Sequence, residues 1–243
     1  MSEIKTSTIS KAGTHVYRDM KKSGIYYDYD YKEYVKSKGS KIRKSECKLP
    51  ITNSTLARGA VFLNPKNVKY IDPKCFQDRD FMLVFCGGAI LKNSSNDADL
   101  KKVFQNIKYA QEPVKSDLKF YCDIASTIGM RCASDEVVYD FVKNMDEDIM
   151  PDFSSALLTS GSGKEYTMGC VKFSSTLLEM CLQGNVPENM TKVSQDMVFL
   201  ANLVVASATS SGDAIGFAQE NDIDDGLVGD IWEEYKGGRE KSL

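Results

Sequence analysis

Four groups of residues in this chain are of types that could do chemistry: a glycine-serine loop ending in lysine, a run of acids, the thiols, and lysines beside tyrosines. The loop TSGSGKEYT (Thr159 to Thr167) contains Gly161, Ser162, Gly163 and Lys164, the order used to cradle phosphates. In such a loop backbone amides and the lysine hold the phosphates, and the next hydroxyl binds magnesium. Here Leu158 stands at the first glycine position and Glu165 at the hydroxyl position, so the motif fails twice. The loop reads as a helix connector.

The acidic stretch ENDIDDGLVGDIWEE (Glu220 to Glu234) places Asp222 and Asp224 where a calcium loop would want them. Asp225 occupies the obligatory glycine position and Ile231 the position of the bidentate acid, so no calcium site is expected. Asp146, Glu147, Asp148 and Asp152 read as a solvated turn, with Asp152 in a helix first turn. The seven cysteines (Cys47, Cys75, Cys86, Cys122, Cys132, Cys170, Cys181) are odd in number and lack C-x-x-C spacing. They read as small buried hydrophobes, reduced in the cytoplasm. His15 is the only imidazole, so neither a zinc cluster nor a histidine-activated nucleophile can be assembled. No cofactor, metal or small-molecule substrate is predicted, and the chain reads as non-enzymatic. A carboxylate or lysine enzyme would need an apolar pocket holding a carboxylate with a strongly displaced pKa.

The lysines remain. Lys36, Lys38, Lys41, Arg43, Lys44 and Lys48 follow the tyrosine run YYDYDYKEY (Tyr26 to Tyr34), with Glu46 the one acid among them, and Arg58, Lys66 and Lys69 come next. Cations neutralise phosphates and tyrosines stack on unpaired bases, the combination used for sequence-independent binding of single strands. The net charge of -3 conceals an uneven layout. Residues 1–48 hold twelve Lys or Arg against six acids, and residues 213–243 hold three against nine.

Something must position these groups. Residues 1–48 are poor in Leu, Val, Phe and Met and are predicted to form a flexible arm. Within it an extended run would put Tyr27, Tyr29 and Tyr31 on one side, able to dock on a neighbour. Residues 49–212 form the core domain, and 213–243 an acidic helical tail. With 42% apolar and 27% charged residues the body can bury a real core. The N-terminus shows no secretory signal. The longest apolar candidate, Met197 to Ala208, is shorter than the roughly 20 residues of a membrane span.

The fold class is mainly α: a helical bundle over about residues 97–210, a small mixed region before it, the arm, and the tail helix. Phe81 to Cys86 is buried, as strand or helix. Leu100, Val103, Phe104 and Ile107 predict a helix from about Asp97, and Leu118, Tyr121, Cys122, Ala125 and Ile128 a second, ending at Gly129. Val137, Val138, Phe141, Val142 and Met145 mark a third behind Ser134; Phe153, Ala156 and Leu157 a fourth behind Pro151; Cys170 to Cys181 a fifth, stopped near Gly184. Asn189 to Ala208 is apolar on more than one face and predicts a central helix. Leu227, Val228, Ile231, Trp232 and Tyr235 form a stripe that closes its own domain or docks on a neighbour.

These features point to a self-associating, RNA-binding structural protein of nucleocapsid or coat (capsid) type, a viral structural protein packaging single-stranded RNA in the cytoplasm or a virion. Phosphate contacts are expected from Lys36, Lys38, Lys41, Arg43, Lys44, Arg58, Lys66 and Lys69. Homo-oligomer contacts are expected from Tyr27, Tyr29, Tyr31 and the Leu227 to Tyr235 stripe, with an RNA groove on the helical body. Charges of opposite sign at the two ends suit head-to-tail contacts. The alternative is an intracellular helical adaptor that binds proteins and no nucleic acid.

Overall fold

The computed structural model describes residues 50–63, 65–86, 105–131, 134–161 and 163–235; the arm and the last eight residues lie outside these ranges. The protein is a mainly α helical bundle, and no strand occurs among the described residues. It divides into two compact units, Met1–Phe85 and Cys86–Leu243. That division follows packing, whereas the boundaries at 48 and 212 follow charge.

In the first unit, α1 (Ser54–Leu63) and α2 (Arg79–Phe85) are joined by tight turns at Pro65–Tyr70 and Pro73–Gln77. Each start has a side-chain cap: Asn53 Oδ1 accepts from Leu56 N–H at 3.0 Å, and Asp78 Oδ1 from Phe81 N–H at 2.9 Å. Capping satisfies amides that the first helical turn leaves open. Behind the Asp78 cap Phe81 to Phe85 is helix, with Phe81, Met82 and Phe85 buried, and Cys86 follows as a buried turn residue. Phe76, Phe81 and Phe85 then form a ring cluster with centroids 5.7 to 6.4 Å apart. A short parallel bridge fastens the entry to the unit: Ile51 N–H donates to Tyr70 O at 2.7 Å, and Asp72 N–H to Ile51 O at 3.0 Å.

The second unit contains α3 (Leu118–Arg131), α4 (Asp135–Lys143), α5 (Met150–Thr159), α6 (Lys164–Leu182), α7 (Met197–Ser207), α8 (Ser211–Glu220) and α9 (Asp225–Tyr235). Four of these follow the apolar periodicity directly. Val137, Val138, Phe141 and Val142 of α4 are buried, and Phe141, Phe153 and Phe173 meet with centroids 5.5 to 6.2 Å apart. Helix α7 is the central one, although it starts at Met197 and not at Asn189, behind 3-10 turns at Glu188–Met190 and Val193–Gln195: every residue from Phe199 to Ala206 is buried, as a helix apolar all round must be. Asp196 Oδ1 caps it, accepting from Phe199 N–H at 3.0 Å. Helix α6 ends in the double hydrogen bond typical of a left-handed glycine cap, Asn185 N–H to Met180 O and Gly184 N–H to Cys181 O.

Three expectations need correction. Gly129 does not end α3, which runs on to Arg131. It lies where α3 crosses α6: a Cβ at Gly129 would sit 1.9 Å from Gly169 O, and one at Gly169 would sit 2.1 Å from Ser126 O. Ser126 Oγ donates to Tyr166 O at 2.9 Å across the same crossing. Gln105–Tyr109 is a 3-10 turn rather than part of a long α-helix, and Leu100, Val103 and Phe104 lie outside the described residues. The Thr159 to Thr167 loop is shorter than predicted, since α5 reaches Thr159 and α6 starts at Lys164. No helix among the described residues is long and apolar enough to cross a membrane.

Candidate nucleic-acid interface

Lys36, Lys38, Lys41, Arg43, Lys44, Tyr27, Tyr29 and Tyr31 lie outside the described residues. Lys66 and Lys69 are exposed on the Pro65–Tyr70 turn, and Lys69 Nζ stands 5.0 Å from the centroid of the half-buried Tyr70 ring. The Ile51 bridge ties that turn to the segment following the basic run in sequence. Exposed Lys74 comes next, at the turn capped by Asp72. Sequence reasoning passed over Tyr70 and Lys74, having picked Lys66 and Lys69 only as cations that follow the basic run.

Arg58 is a correction. It is 3% exposed, and its Nη1 donates to Val84 O at 3.2 Å, tying α1 to α2. A guanidinium withdrawn into the core cannot meet a phosphate without opening the unit, so its role is internal. The open groove beside α1 and α2 is lined by Lys74, Cys75, Asp78, Asp80 and Phe81. Two carboxylates to one lysine make it a poor seat for an anion.

Charge over the described part of the second unit, residues 105–235, has the opposite sign. Residues 105–235 carry eight Lys or Arg against twenty-two Asp or Glu, a balance of -14, while residues 1–104 carry twenty against eleven, a balance of +9. An RNA groove on the helical body is therefore opposed by its own field. From Val193 to Tyr235 there are nine acids and no Lys or Arg. All nine, Asp196, Asp213, Glu220, Asp222, Asp224, Asp225, Asp230, Glu233 and Glu234, are exposed.

The tail stripe turns inward. Val228, Ile231 and Trp232 are buried, Trp232 to 2% exposure, while Leu227 and Tyr235 are partly covered. Helix α9 packs on α7 and α8 within its own unit. Of the two arrangements open in the sequence, the described one is closure of the parent domain. The exposed large apolar side chains among the described residues are instead Met168, Leu182, Met197 and Val198.

Other candidate chemistries have structural explanations. Gly161 has φ +97°, and a Cβ there would sit 2.7 Å from the Tyr166 ring, so its glycine serves the turn. The cavity beside it, lined by Leu157, Ser160, Tyr166 and Cys170, is about 20 Å³, room for about one water molecule. Burial pushes the thiol of Cys86 upward, those of Cys122 and Cys181 to about 12, and that of Cys170 to about 11. That is away from the nucleophilic thiolate. The half-exposed Cys75 thiol is raised by burial and then by the Asp72 and Asp78 charges. Cys47 and Cys132 lie outside the described residues.

Asp146 and Asp213 have carboxyl groups held below the ordinary range. For Asp146 the cause is first the hydrogen bond from Lys115, 2.6 Å away, and then one from the Asp148 amide. For Asp213 it is hydrogen bonds from Ser210 and Thr209. A general acid needs the opposite shift. Among the described residues no three His, Cys, Asp or Glu side chains converge as a metal site.

Comparison with protein-family models, characterised proteins and solved structures finds no match to this chain.

Proposed function

We propose that this chain is a self-associating structural protein that binds and packages single-stranded RNA, with the phosphates met by residues 1–104 and not by the helical body. The supporting observation is the charge partition, +9 over residues 1–104 against -14 over residues 105–235. A polyanion is drawn to the first and repelled by the second. Within the first segment the exposed lysines Lys66, Lys69 and Lys74 flank Tyr70, which supplies an aromatic face beside the cations. Lys36, Lys38, Lys41, Arg43 and Lys44 add charge on the same side of the partition.

The test is size-exclusion chromatography with light scattering on protein purified from cells, reading absorbance near 260 and 280 nm before and after nuclease and at high salt. Large particles with nuclease-sensitive nucleic acid, weakened by salt, are expected. A small species free of nucleic acid and indifferent to added single strands at low salt would overturn the proposal and favour the adaptor reading.

A further inference from the structure

The start of α7 is unusual for the most buried helix of its unit. Met197 is 42% exposed and Val198 53%, whereas every residue from Phe199 to Ala206 is buried. The acidic turn before α9 borders them: Asp224 N–H donates to Met197 Sδ at 3.4 Å. Asp196 lies on the other side as the cap of α7, and Asp222 and Asp225 are exposed in the turn. The pair is thus bordered by Asp224 and the capping Asp196, within a stretch from Val193 to Tyr235 that carries nine exposed acids and no Lys or Arg.

That chemistry narrows the occupant. A second copy of the same face would bring like charges together, and RNA would do the same, so both are opposed. A cationic segment with apolar side chains interleaved fits. The chain contains one: Tyr34, Val35 and Ile42 alternate with Lys36, Lys38, Lys41, Arg43 and Lys44, and between Tyr34 and Lys44 there is no acid.

We propose that the face formed by Met197, Val198 and the Asp222 to Asp225 turn is the docking site for the Tyr34 to Lys44 segment of a second copy of this chain. The inference rests on the self-association part of the proposed function and deepens it by naming the surface. The lysines seated there are the ones offered to phosphate, so RNA and the acidic face compete for them. Protein without RNA associates head to tail at low salt, and added single strands displace that contact.

Two charge-altered full-length proteins test this after nuclease treatment. In one, Glu220→Lys at the end of α8 with Asp222→Asn and Asp225→Lys neutralise the face, sparing Asp196 and Asp224, whose carboxylates cap α7 and α9. Asparagine is used at 222 because φ there is +56°, a conformation it tolerates. In the other, Lys41, Arg43 and Lys44 become Glu. By light scattering at low salt the unaltered protein is expected to associate, each altered protein alone to lose that association, and their mixture to regain it.

Replacing Met197 and Val198 with Ser should weaken association without altering charge, and thermal unfolding shows whether each variant is folded. Unaltered protein that stays monomeric at low salt, or altered proteins that associate as it does, would overturn the docking site. RNA affinity of the face-neutralised protein is a separate readout: if it remains while association is lost, docking and RNA binding are distinct. If no variant binds RNA but the mixture still pairs, the RNA proposal alone fails.

Discussion

Residues 1–104 and 105–235 use charge in different ways. In the helical body the acids lie on outward faces, while the inner faces are filled by Phe141, Phe153, Phe173 and the all-round apolar α7. The fit of apolar surface and backbone decides whether that unit folds, and its charge of -14 decides what it repels. The first segment has a small described core, chiefly the Phe76, Phe81 and Phe85 cluster, and a positive excess that this core does not absorb. A net charge of -3 thus averages two polyelectrolytes of opposite sign. Function has to be argued for each separately.

Changes in the body should act through stability. Trp232→Ala is expected to cost about 4 kcal/mol, because a fully covered indole leaves a cavity that α7 and α8 can close only in part; urea unfolding would measure it. An intact protein that instead loses oligomer would return the stripe to a subunit contact. Gly169→Ala should cost about 3 kcal/mol, since its Cβ would meet the Ser126 backbone and helices α3 and α6 would have to separate. Gly229→Ala, where a Cβ meets nothing within 4 Å, should stabilise by about 0.5–1 kcal/mol through helix propensity. Opposite signs for the same substitution would identify the crossing as the cause.

Charge changes should divide along the same boundary. Lys41→Glu with Arg43→Glu and Lys44→Glu is expected to weaken binding of a single-stranded RNA at least tenfold. The slope of log K against log salt should flatten by about 2, as three single-strand phosphate contacts are removed. Lys172→Glu with Lys192→Glu, on the acidic body, should leave both nearly unchanged, and fluorescence anisotropy would separate the cases. An equal loss from both would erase the partition.

The smallest effect is expected at the Lys115–Asp146 pair. Through their shared hydrogen bond Asp146 raises the pKa of Lys115 and Lys115 lowers that of Asp146. A depressed carboxyl stabilises the fold above its ordinary value of 3.8 and loses that contribution as pH falls through the lower folded value. A raised lysine contributes below 10.5 and loses it as pH rises through the higher folded value. Lys115→Met should therefore melt slightly below the unaltered protein at pH 7, and the two should converge in strong acid. A gap that persists below pH 2 would point to packing.

Much of the bundle was legible because α4, α5, α6 and α7 bury whole apolar faces whose spacing is local. Helix α8 was not recognised: its buried side is made by Ala214 and Ala218, one turn apart and too small to stand out among Ser, Gly and Asp. Gly129 was misread because a glycine looks locally like a stop, and its partner at the crossing, Gly169, lies forty residues away in sequence. Arg58 looked like a surface cation because nothing nearby in sequence foretells its acceptor, Val84 O. Lys66 and Lys69 were legible as exposed cations, whereas the Met197 and Val198 face was hidden inside the segment that best resembles pure core. The acidity of residues 105–235 could have been counted from the sequence alone.

The most direct measurement is photo-crosslinking of the full-length protein to a single-stranded RNA carrying a photoreactive base, with the crosslinked peptides located by mass spectrometry. Crosslinks within residues 1–104, including the turn that bears Lys66, Lys69 and Tyr70, are the predicted result. Crosslinks confined to residues 105–235, or none at low salt, would contradict it.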